Sequence, residues 1–399
     1  MSGHKATWAV QQLLPPALLT YFFWAWKICT FEIGPTFIGK TLQHPLLGAT
    51  YSAFASISLG TLTLLFLRLY LLPSRQGIPP RDPPDDIQLR RVIFQVSGPP
   101  KYPGDVKVER CYKDECKGRW KPARTRHCST CKVCRVGYDH HCAFFANCLT
   151  APYISLFLTL LLFSPPIFFL LSLPLLKPLT TRTFKAYHLS RTDPTLKEWW
   201  AWSWSWILPA GPVGRYVRGL WIGWRRLDVL DPEKELRAGV MVMVLVGGLL
   251  SLICLALLIS SFLLIQDGRL AVDRGRQLSH MKLQKTILKL HSKSQPIPTT
   301  LQQSLLELSE QEWFFVPFGP PGQGEIVFTL PDVKPYDHGS KKNRELVGLK
   351  GWWFLPWKAM KAAEVNVWNW ELAEGVQIRL REEAKMMRLE RMREGEEYD

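Results

Sequence analysis

The feature that most constrains this chain is a dense cluster of cysteines and histidines between Cys111 and Cys148. Seven of the nine cysteines and three of the nine histidines lie there, which makes ten candidate ligands. Cysteines and histidines spaced a few residues apart are typical ligands of tetrahedral Zn²⁺. Two closed zinc sites need eight ligands. The sequence therefore predicts two zinc sites and leaves two residues for another role.

The spacing suggests how the ligands are shared. One Cys3His site can be formed by Cys111, Cys116, His127 and Cys134. A second, interleaved site can be formed by Cys128, Cys131, His141 and Cys148. His140 and Cys142 then remain, next to Asp139. A thiol, an imidazole and a carboxylate on one short loop are the parts of an activated nucleophile. Spacing alone does not prove this partition.

The pattern H-C-x2-C-x2-C-x4-D-H-H-C-x5-C, from His127 to Cys148, resembles the cysteine-rich domain of the DHHC protein S-acyltransferases, or palmitoyltransferases. A K-P-x-R element before it, at Lys121, Pro122 and Arg124, resembles the same family. The resemblance implies a membrane enzyme that loads a fatty acyl group from acyl-CoA onto the Cys142 thiol. The group then passes to a cysteine of a substrate protein. The resemblance also implies catalytic roles for Asp139, His140 and Cys142, and the two zinc sites in the partition given above.

The chain departs from the family pattern at several positions. The first cysteine pair is C-x4-C instead of C-x2-C, and residues 143–148 are AFFANC where the family usually has PWVNNC. Residues 270–273, LAVD, are a degenerate match to the T-T-x-E element that follows the last helix of the family. A further resemblance lies at KPYDHGSKKNRELVGLKGWWFLP, where the matching residues are Tyr336, Asp337, Gly339, Asn343, Val347, Gly348, Trp353, Leu355 and Pro356. We expect the aromatic residues of that motif to pack against the zinc module and the membrane surface.

Other functions fit part of the same pattern. A dense Cys/His cluster is often a purely structural zinc module, as in a RING-like ubiquitin ligase or a membrane scaffold that recruits partners. A family member that has lost activity is a third alternative, given the changes at residues 143–146. A ligase has no need of a free thiol at Cys142, so that thiol separates it from the acyltransferase.

Four apolar blocks place the cluster in a membrane protein. They cover residues 8–26, 46–72, 153–176 and 238–265. A helix of about 20 apolar residues is long enough to cross the hydrocarbon core of a bilayer, so each block can form a transmembrane helix. Basic residues outnumber acidic ones between residues 73 and 152, which places this loop in the cytosol by the positive-inside rule. The cytosol is reducing, so its cysteines should bind metal or react instead of forming disulfides.

We therefore predict an α-helical integral membrane protein with four transmembrane helices and a cytosolic double-zinc module between the second and third. Residues 1–72 hold helices 1 and 2 with a short luminal loop, and residues 73–152 the cysteine-rich domain. Residues 153–265 hold helices 3 and 4 with a Trp-rich luminal loop, and residues 266–399 a cytosolic tail. The Trp-rich stretch 199–226 is either an interfacial amphipathic segment or an additional hairpin.

The charge of the chain bears on its partners. The formal net charge is +16, which favours acidic partners such as anionic lipid or phosphorylated cofactors. Arg119, Lys121, Arg124 and Arg126 either hold the phosphates of CoA or form a solvated or lipid-facing surface. Nucleic acid is not expected, because aromatic residues are hardly interleaved with these cations. The expected partners are acyl-CoA, the bilayer and membrane-associated proteins with cytosolic cysteines. The expected location is the endoplasmic reticulum, Golgi or plasma membrane, with both termini in the cytosol.

Overall fold

The computed structural model describes residues 2–72, 77–98, 106–206, 211–230, 236–307, 312–330, 333–365 and 370–394. The chain forms two compact units. One comprises Met1–Pro15, Leu67–Thr159 and Ile259–Asp399, and the other Pro16–Phe66 and Leu160–Leu258. The Cys/His cluster belongs to the first unit.

Long helices account for most of the regular structure. The helices are α1 Ser2–Lys27, α2 Pro45–Tyr70, α3 Asp85–Gln88, α4 Ile154–Ser172, α5 Leu176–Thr192, α6 Glu198–Ala201, α7 Gly211–Leu230, α8 Ala238–Gln266, α9 Ala271–Ser292, α10 Thr299–Glu307, α11 Ser340–Leu346, α12 Pro356–Ala359 and α13 Glu374–Glu394. A π-helical segment, Ile28–Thr41, directly follows α1.

Three helical segments of the described chain are long and apolar enough to cross a membrane. They are Pro45–Tyr70, Ala151–Thr192 and Ala238–Gln266. These segments overlap the second, third and fourth predicted apolar blocks, respectively. Pro165 and Pro166 lie inside α4, which continues through them, and membrane helices tolerate proline better than soluble ones. The first predicted block lies on α1, which is outside these three segments.

The Trp-rich stretch belongs to a helical hairpin in the second unit. Helices α5 and α7 pack against each other, and Gly223 allows the approach because a Cβ there would lie 2.1 Å from the Ala186 carbonyl oxygen. An ion pair joins Arg182 Nη2 to Asp228 Oδ1 at 2.8 Å. The Trp200 ring lies 4.4 Å from the Arg191 guanidinium. Trp200, in the Trp-rich stretch, therefore contributes to the packing of the hairpin.

The strands are short and lie in the first unit. They are β1 Phe94–Val96, β2 Arg110–Cys111, β3 Arg119–Trp120, β4 Arg126–Cys128, β5 Val133–Arg135, β6 Tyr138–Cys142, β7 Asn147–Thr150, β8 Trp313–Pro317 and β9 Gly324–Phe328. Three antiparallel pairs, β2–β3, β4–β5 and β6–β7, carry the Cys/His cluster. A separate antiparallel sheet contains three strands in the order β1-β8-β9, and α13 packs against it.

Candidate active site and metal clusters

The β4–β5 hairpin distributes neighbouring ligands to two different clusters. His127 pairs across the hairpin with Cys134, and Cys128 pairs with Val133. Successive side chains of a strand point to opposite faces. The adjacent residues His127 and Cys128 therefore serve separate sites, and the two sites interleave along the chain.

The first cluster brings together Cys111, Cys116, His127 and Cys134. His127 Nδ1 lies 3.6 Å from Cys111 Sγ and 3.4 Å from Cys116 Sγ. The other ring nitrogen, Nε2, lies 3.0 Å from Asp114 Oδ2. A carboxylate on the far nitrogen fixes the tautomer and the orientation of a metal-binding imidazole. Asp114 lies within the unusual C-x4-C spacing, so the longer spacing supplies this partner.

Replacing Asp114 by alanine should weaken metal binding at the first cluster by about 10- to 100-fold, the usual effect of removing such a partner. The matched control is Glu115→Ala, because Glu115 is an adjacent exposed carboxylate. Competition with a chromophoric chelator measures both variants. Equal affinities for the two variants would contradict the role assigned to Asp114.

The second cluster brings together Cys128, Cys131, His141 and Cys148. His141 Nδ1 lies 3.5 Å from Cys131 Sγ and 3.6 Å from Cys148 Sγ. His141 and Cys148 face each other across the β6–β7 hairpin. The backbone N–H of Cys131 donates to Cys128 Sγ at 3.4 Å. Two hairpins thus meet at this cluster.

Both clusters fit a metal ion. Within each, all four ligand atoms lie within 4.8 Å of one another. A tetrahedral Zn²⁺ site with bonds near 2.0–2.3 Å has N···S edges of about 3.6 Å, close to the distances above. Hydrogen bonds lower the pKa of the Cys128 thiol, and those from Cys128 and Cys131 raise that of Cys148. A cation among the packed sulfurs would stabilise their deprotonated form.

The remaining residues of the predicted site lie together on β6. His140 and Cys142 are two residues apart and share a face, whereas His141 points toward the second cluster. The pairing of β6 with β7 shifts register between Tyr138 and His140, so that Asp139 is the irregular residue. Such an irregularity re-aims a side chain. Asp139 Oδ2 consequently reaches the Nδ1 of its own neighbour, His140, at 2.8 Å.

Asp139 is held on both oxygens. Its Oδ1 accepts a hydrogen bond of 2.8 Å from the backbone N–H of Ala271, at the first turn of α9. The N-terminus of a helix stabilises a carboxylate by its dipole and its free N–H groups. Asp139 is therefore fixed in position beside His140.

The environment of His140 favours its charged form. Burial lowers its pKa, but hydrogen bonds and charges from Asp139 and Cys142 outweigh this and raise the pKa to about 10. Cys142 is 5% exposed and belongs to neither metal cluster. The ring of Phe157, on α4, lies 5.7 Å from that of His140 and 6.2 Å from that of Phe145. The thiol and imidazole thus lie beside an aromatic surface.

Arg124 connects this region to the C-terminal segments. It donates to the Gly268 carbonyl, and its Nη2 lies 3.2 Å from Asp273 Oδ2. Its guanidinium lies 4.4 Å from the ring of Tyr336 and 4.7 Å from that of Trp370. The contact with Tyr336 joins the Cys/His module to the second motif found in the sequence.

The second motif also contacts the end of α8. Asn343 Nδ2 donates to the Gln266 carbonyl at 2.9 Å and to Asp337 Oδ1 at 2.8 Å. A Cβ at Gly268 would lie 2.8 Å from the Tyr336 carbonyl oxygen, and its φ of +66° favours glycine. The segment between α8 and α9 is therefore clamped between Arg124 and this motif.

The four cations predicted to hold CoA differ in their surroundings. Arg119 Nη1 donates to the Pro79 carbonyl at 3.2 Å, and Lys121 pairs with Glu109. Arg124 is enclosed by the contacts above. Arg126 is half-buried, and its Nε has no hydrogen-bond partner among the described residues. Burial, and then the charge of Arg276, lower its pKa.

Comparisons with known proteins agree with this site. Residues 106–272 match the family model described as DHHC palmitoyltransferase. A palmitoyltransferase PFA3 of Eremothecium gossypii is 33% identical over 125 residues, 28% of this chain and 38% of that protein. Palmitoyltransferase PFA3 of Saccharomyces cerevisiae is 33% identical over 99 residues, covering 22% and 28% respectively. Palmitoyltransferase spe-10 of Caenorhabditis elegans is 48% identical over 44 residues, covering 11% and 12%.

The matched segment contains both metal clusters and the Asp139–His140–Cys142 group, and it ends in the first turn of α9. Over residues 106–272 the chain is similar to the DHHC palmitoyltransferase family. Its alignments span less than two fifths of the length of the curated relatives named above.

Proposed function

We propose that this chain is a protein S-acyltransferase that transfers a long-chain fatty acyl group, such as palmitoyl, from acyl-CoA to cysteines of membrane-associated proteins. The observation that carries the proposal is the Asp139–His140–Cys142 group on β6, outside both metal clusters. The names of the relatives support the same reaction.

In the first half-reaction, the proton of the Cys142 thiol already lies on His140, whose raised pKa favours the imidazolium, and the Cys142 thiolate attacks the thioester carbon of acyl-CoA. A bond forms between that carbon and Cys142 Sγ, and the bond to the CoA sulfur breaks. CoA leaves as a thiol with the proton from His140. Because Asp139 holds Nδ1, the ring nitrogen available for this proton transfer is Nε2.

The second half-reaction repeats the chemistry with another thiol. His140 takes the proton of the acceptor cysteine, whose sulfur attacks the acyl carbon on Cys142. The new thioester forms on the acceptor, and Cys142 leaves and recovers its proton. Asp139 stabilises the imidazolium formed in each half-reaction.

The proposed metal in both clusters is Zn²⁺, because three thiolates and one imidazole are the ligands that structural zinc prefers. Each site has four protein ligands, so zinc supplies structural cross-links and takes part in neither half-reaction. For the CoA phosphates we propose Arg119, Lys121, Arg124 and Arg126. Arg124 and Arg126 both have a buried Nε without a hydrogen-bond partner among the described residues, but Arg124 is enclosed by Tyr336 and Trp370, which makes it the weaker candidate of the two.

The proposed topology has four spans, with α1 added to the three apolar segments. In this topology, the first pair of spans lies in residues 1–72 and the cytosolic module in residues 73–152. The second pair of spans lies in residues 153–265 and the cytosolic tail in residues 266–399. Both termini face the cytosol. We propose an endomembrane location and no binding of nucleic acid.

The scaffold and RING-like alternatives need the eight ligands but not the thiol–imidazole pair. The contact between His140 and Cys142 therefore favours the enzyme.

The test is to incubate the purified protein in detergent with tagged long-chain acyl-CoA and then add a cysteine-containing acceptor. We expect label on the protein that hydroxylamine releases, and its transfer to the acceptor. A folded protein with two bound metal ions that accepts no label would exclude this function and leave the scaffold alternative.

A further inference from the structure

Helix α9 is unusual in its charge and its position. It contains Arg274, Arg276, Lys282, Lys285 and Lys289, and only one acidic residue, Asp273. It starts at Ala271, only a short connection after the apolar helix α8 ends at Gln266. None of its residues is buried. A basic helix therefore follows directly on a candidate membrane span.

One side of α9 combines apolar and basic side chains. Leu278, Met281 and Leu288 are 44%, 46% and 69% exposed. With Lys285 they follow the spacing i, i+3, i+7, i+10, which places them along one stripe of a helix. Lys282 and Lys289 flank this stripe. We call these residues the basic stripe: Leu278, Met281, Lys282, Lys285, Leu288 and Lys289.

The basic stripe is not the side of α9 that packs within the protein. Helix α10 packs against α9, and Leu283, Ile287 and Leu290, which lie away from the stripe, are half-buried. The first turn of α9 is fixed separately, by the hydrogen bond from Ala271 to Asp139. The stripe therefore stays exposed while both the opposite side and the start of the helix are held.

We propose that the basic stripe binds the anionic surface of the membrane leaflet at which α8 ends. Leucine and methionine would enter the interface, and the lysine ammonium groups would contact lipid phosphates. Clusters of Lys and Arg next to a membrane span bind anionic lipid in this way. The short connection 267–270 keeps α9 close to the headgroups, where the attraction is not yet screened by salt.

The proposal uses the membrane location of α8 and not the acyl-transfer chemistry. Its consequence for the site is mechanical, because the N–H of Ala271 that holds Asp139 belongs to the same helix. Lipid binding along α9 would therefore restrain the element that positions Asp139.

The test is hydrogen–deuterium exchange of the full chain in nanodiscs of phosphatidylcholine alone or with about 30% phosphatidylserine. We expect amides of α9 to exchange about tenfold more slowly in the anionic discs, since an exposed helix opens easily until a surface covers it. Salt at about 1 M should remove the difference.

The decisive variant is Lys282→Gln with Lys285→Gln and Lys289→Gln, which should lose the lipid-dependent protection. The matched control removes three exposed charges of α13, by Arg381→Gln, Lys385→Gln and Arg393→Gln, and should retain it. Retention of two metal ions per chain checks that both variants are folded.

Three results would overturn the proposal. Equal protection in neutral and anionic discs would mean that anionic lipid does not bind the stripe. If the lipid-dependent protection persisted in the lysine variant, residues other than these three lysines would be responsible for it. If soluble glycerophosphoserine, added to the protein in neutral discs, protected α9 as well as anionic discs do, the stripe would be a site for a free anion.

Discussion

Replacement of Cys142 by serine is expected to abolish the hydroxylamine-sensitive acyl-enzyme, with a fall in labelling rate of more than about 10³-fold. A serine hydroxyl at this position ionises far less readily than a thiol and is a poor match for the imidazolium of His140. Cys142 is in neither cluster, so the variant should keep both metal ions. Labelling with tagged acyl-CoA and metal analysis on the same sample measure the two properties together.

The matched control for this variant is Cys254→Ser. Cys254 lies in α8, outside the clusters, and should be dispensable for labelling. Wild-type labelling of Cys142→Ser would place the acyl group on another thiol. Loss of a metal ion from Cys142→Ser would mean that Cys142 is a ligand, and the partition of the cluster would have to be redrawn.

Removal of metal is expected to unfold the Cys/His module and stop acyl-enzyme formation. The first cluster has little else to hold it together, because the buried core around it consists of Cys111, Cys116, Cys134 and Val133. The strands of the module have two to five residues each. Structural zinc contributes about 10–16 kcal/mol in small zinc domains, as much as the whole stability of an ordinary domain.

A strong chelator should therefore lower three quantities together. These are the number of bound metal ions, the hydrogen-exchange protection of residues 106–150 and the extent of acyl labelling. Cys116→Ser should bind one ion instead of two, and Cys254→Ser should bind two. Full labelling of a metal-free protein would show that the clusters have no structural role. A single ion in the wild type would contradict the presence of two sites.

The sequence predicted much of this site because its chemistry is carried by side chains with a characteristic spacing. The eight proposed ligands are brought together in the two predicted groups, and the short hairpins explain why neighbours such as His127 and Cys128 separate. Three of the four predicted apolar helices are long and apolar enough to cross a membrane, and they were predictable because their length and composition follow from the thickness of a bilayer.

What the sequence did not predict depends on contacts between distant segments. Asp114 has no motif of its own, and its role appears only when its carboxylate meets His127. Residues 270–273 match the T-T-x-E element poorly, yet the Ala271 N–H reaches Asp139, and a backbone donor leaves no trace in the side-chain pattern. The β8–β9 hairpin was also missed, although the Gly- and Pro-rich stretch between its two apolar runs was an available turn signal.

The alternation of side chains along β6 has a consequence for how such proteins diverge. The proposed reactive pair and the proposed ligand His141 alternate along one strand, so a single substitution at Cys142 would remove the proposed chemistry while the fold and both clusters persist. An insertion of one residue in β6 would instead exchange the two faces and destroy fold and chemistry together. A non-catalytic descendant is therefore one point mutation away, whereas a descendant with a working thiol and no clusters is not accessible.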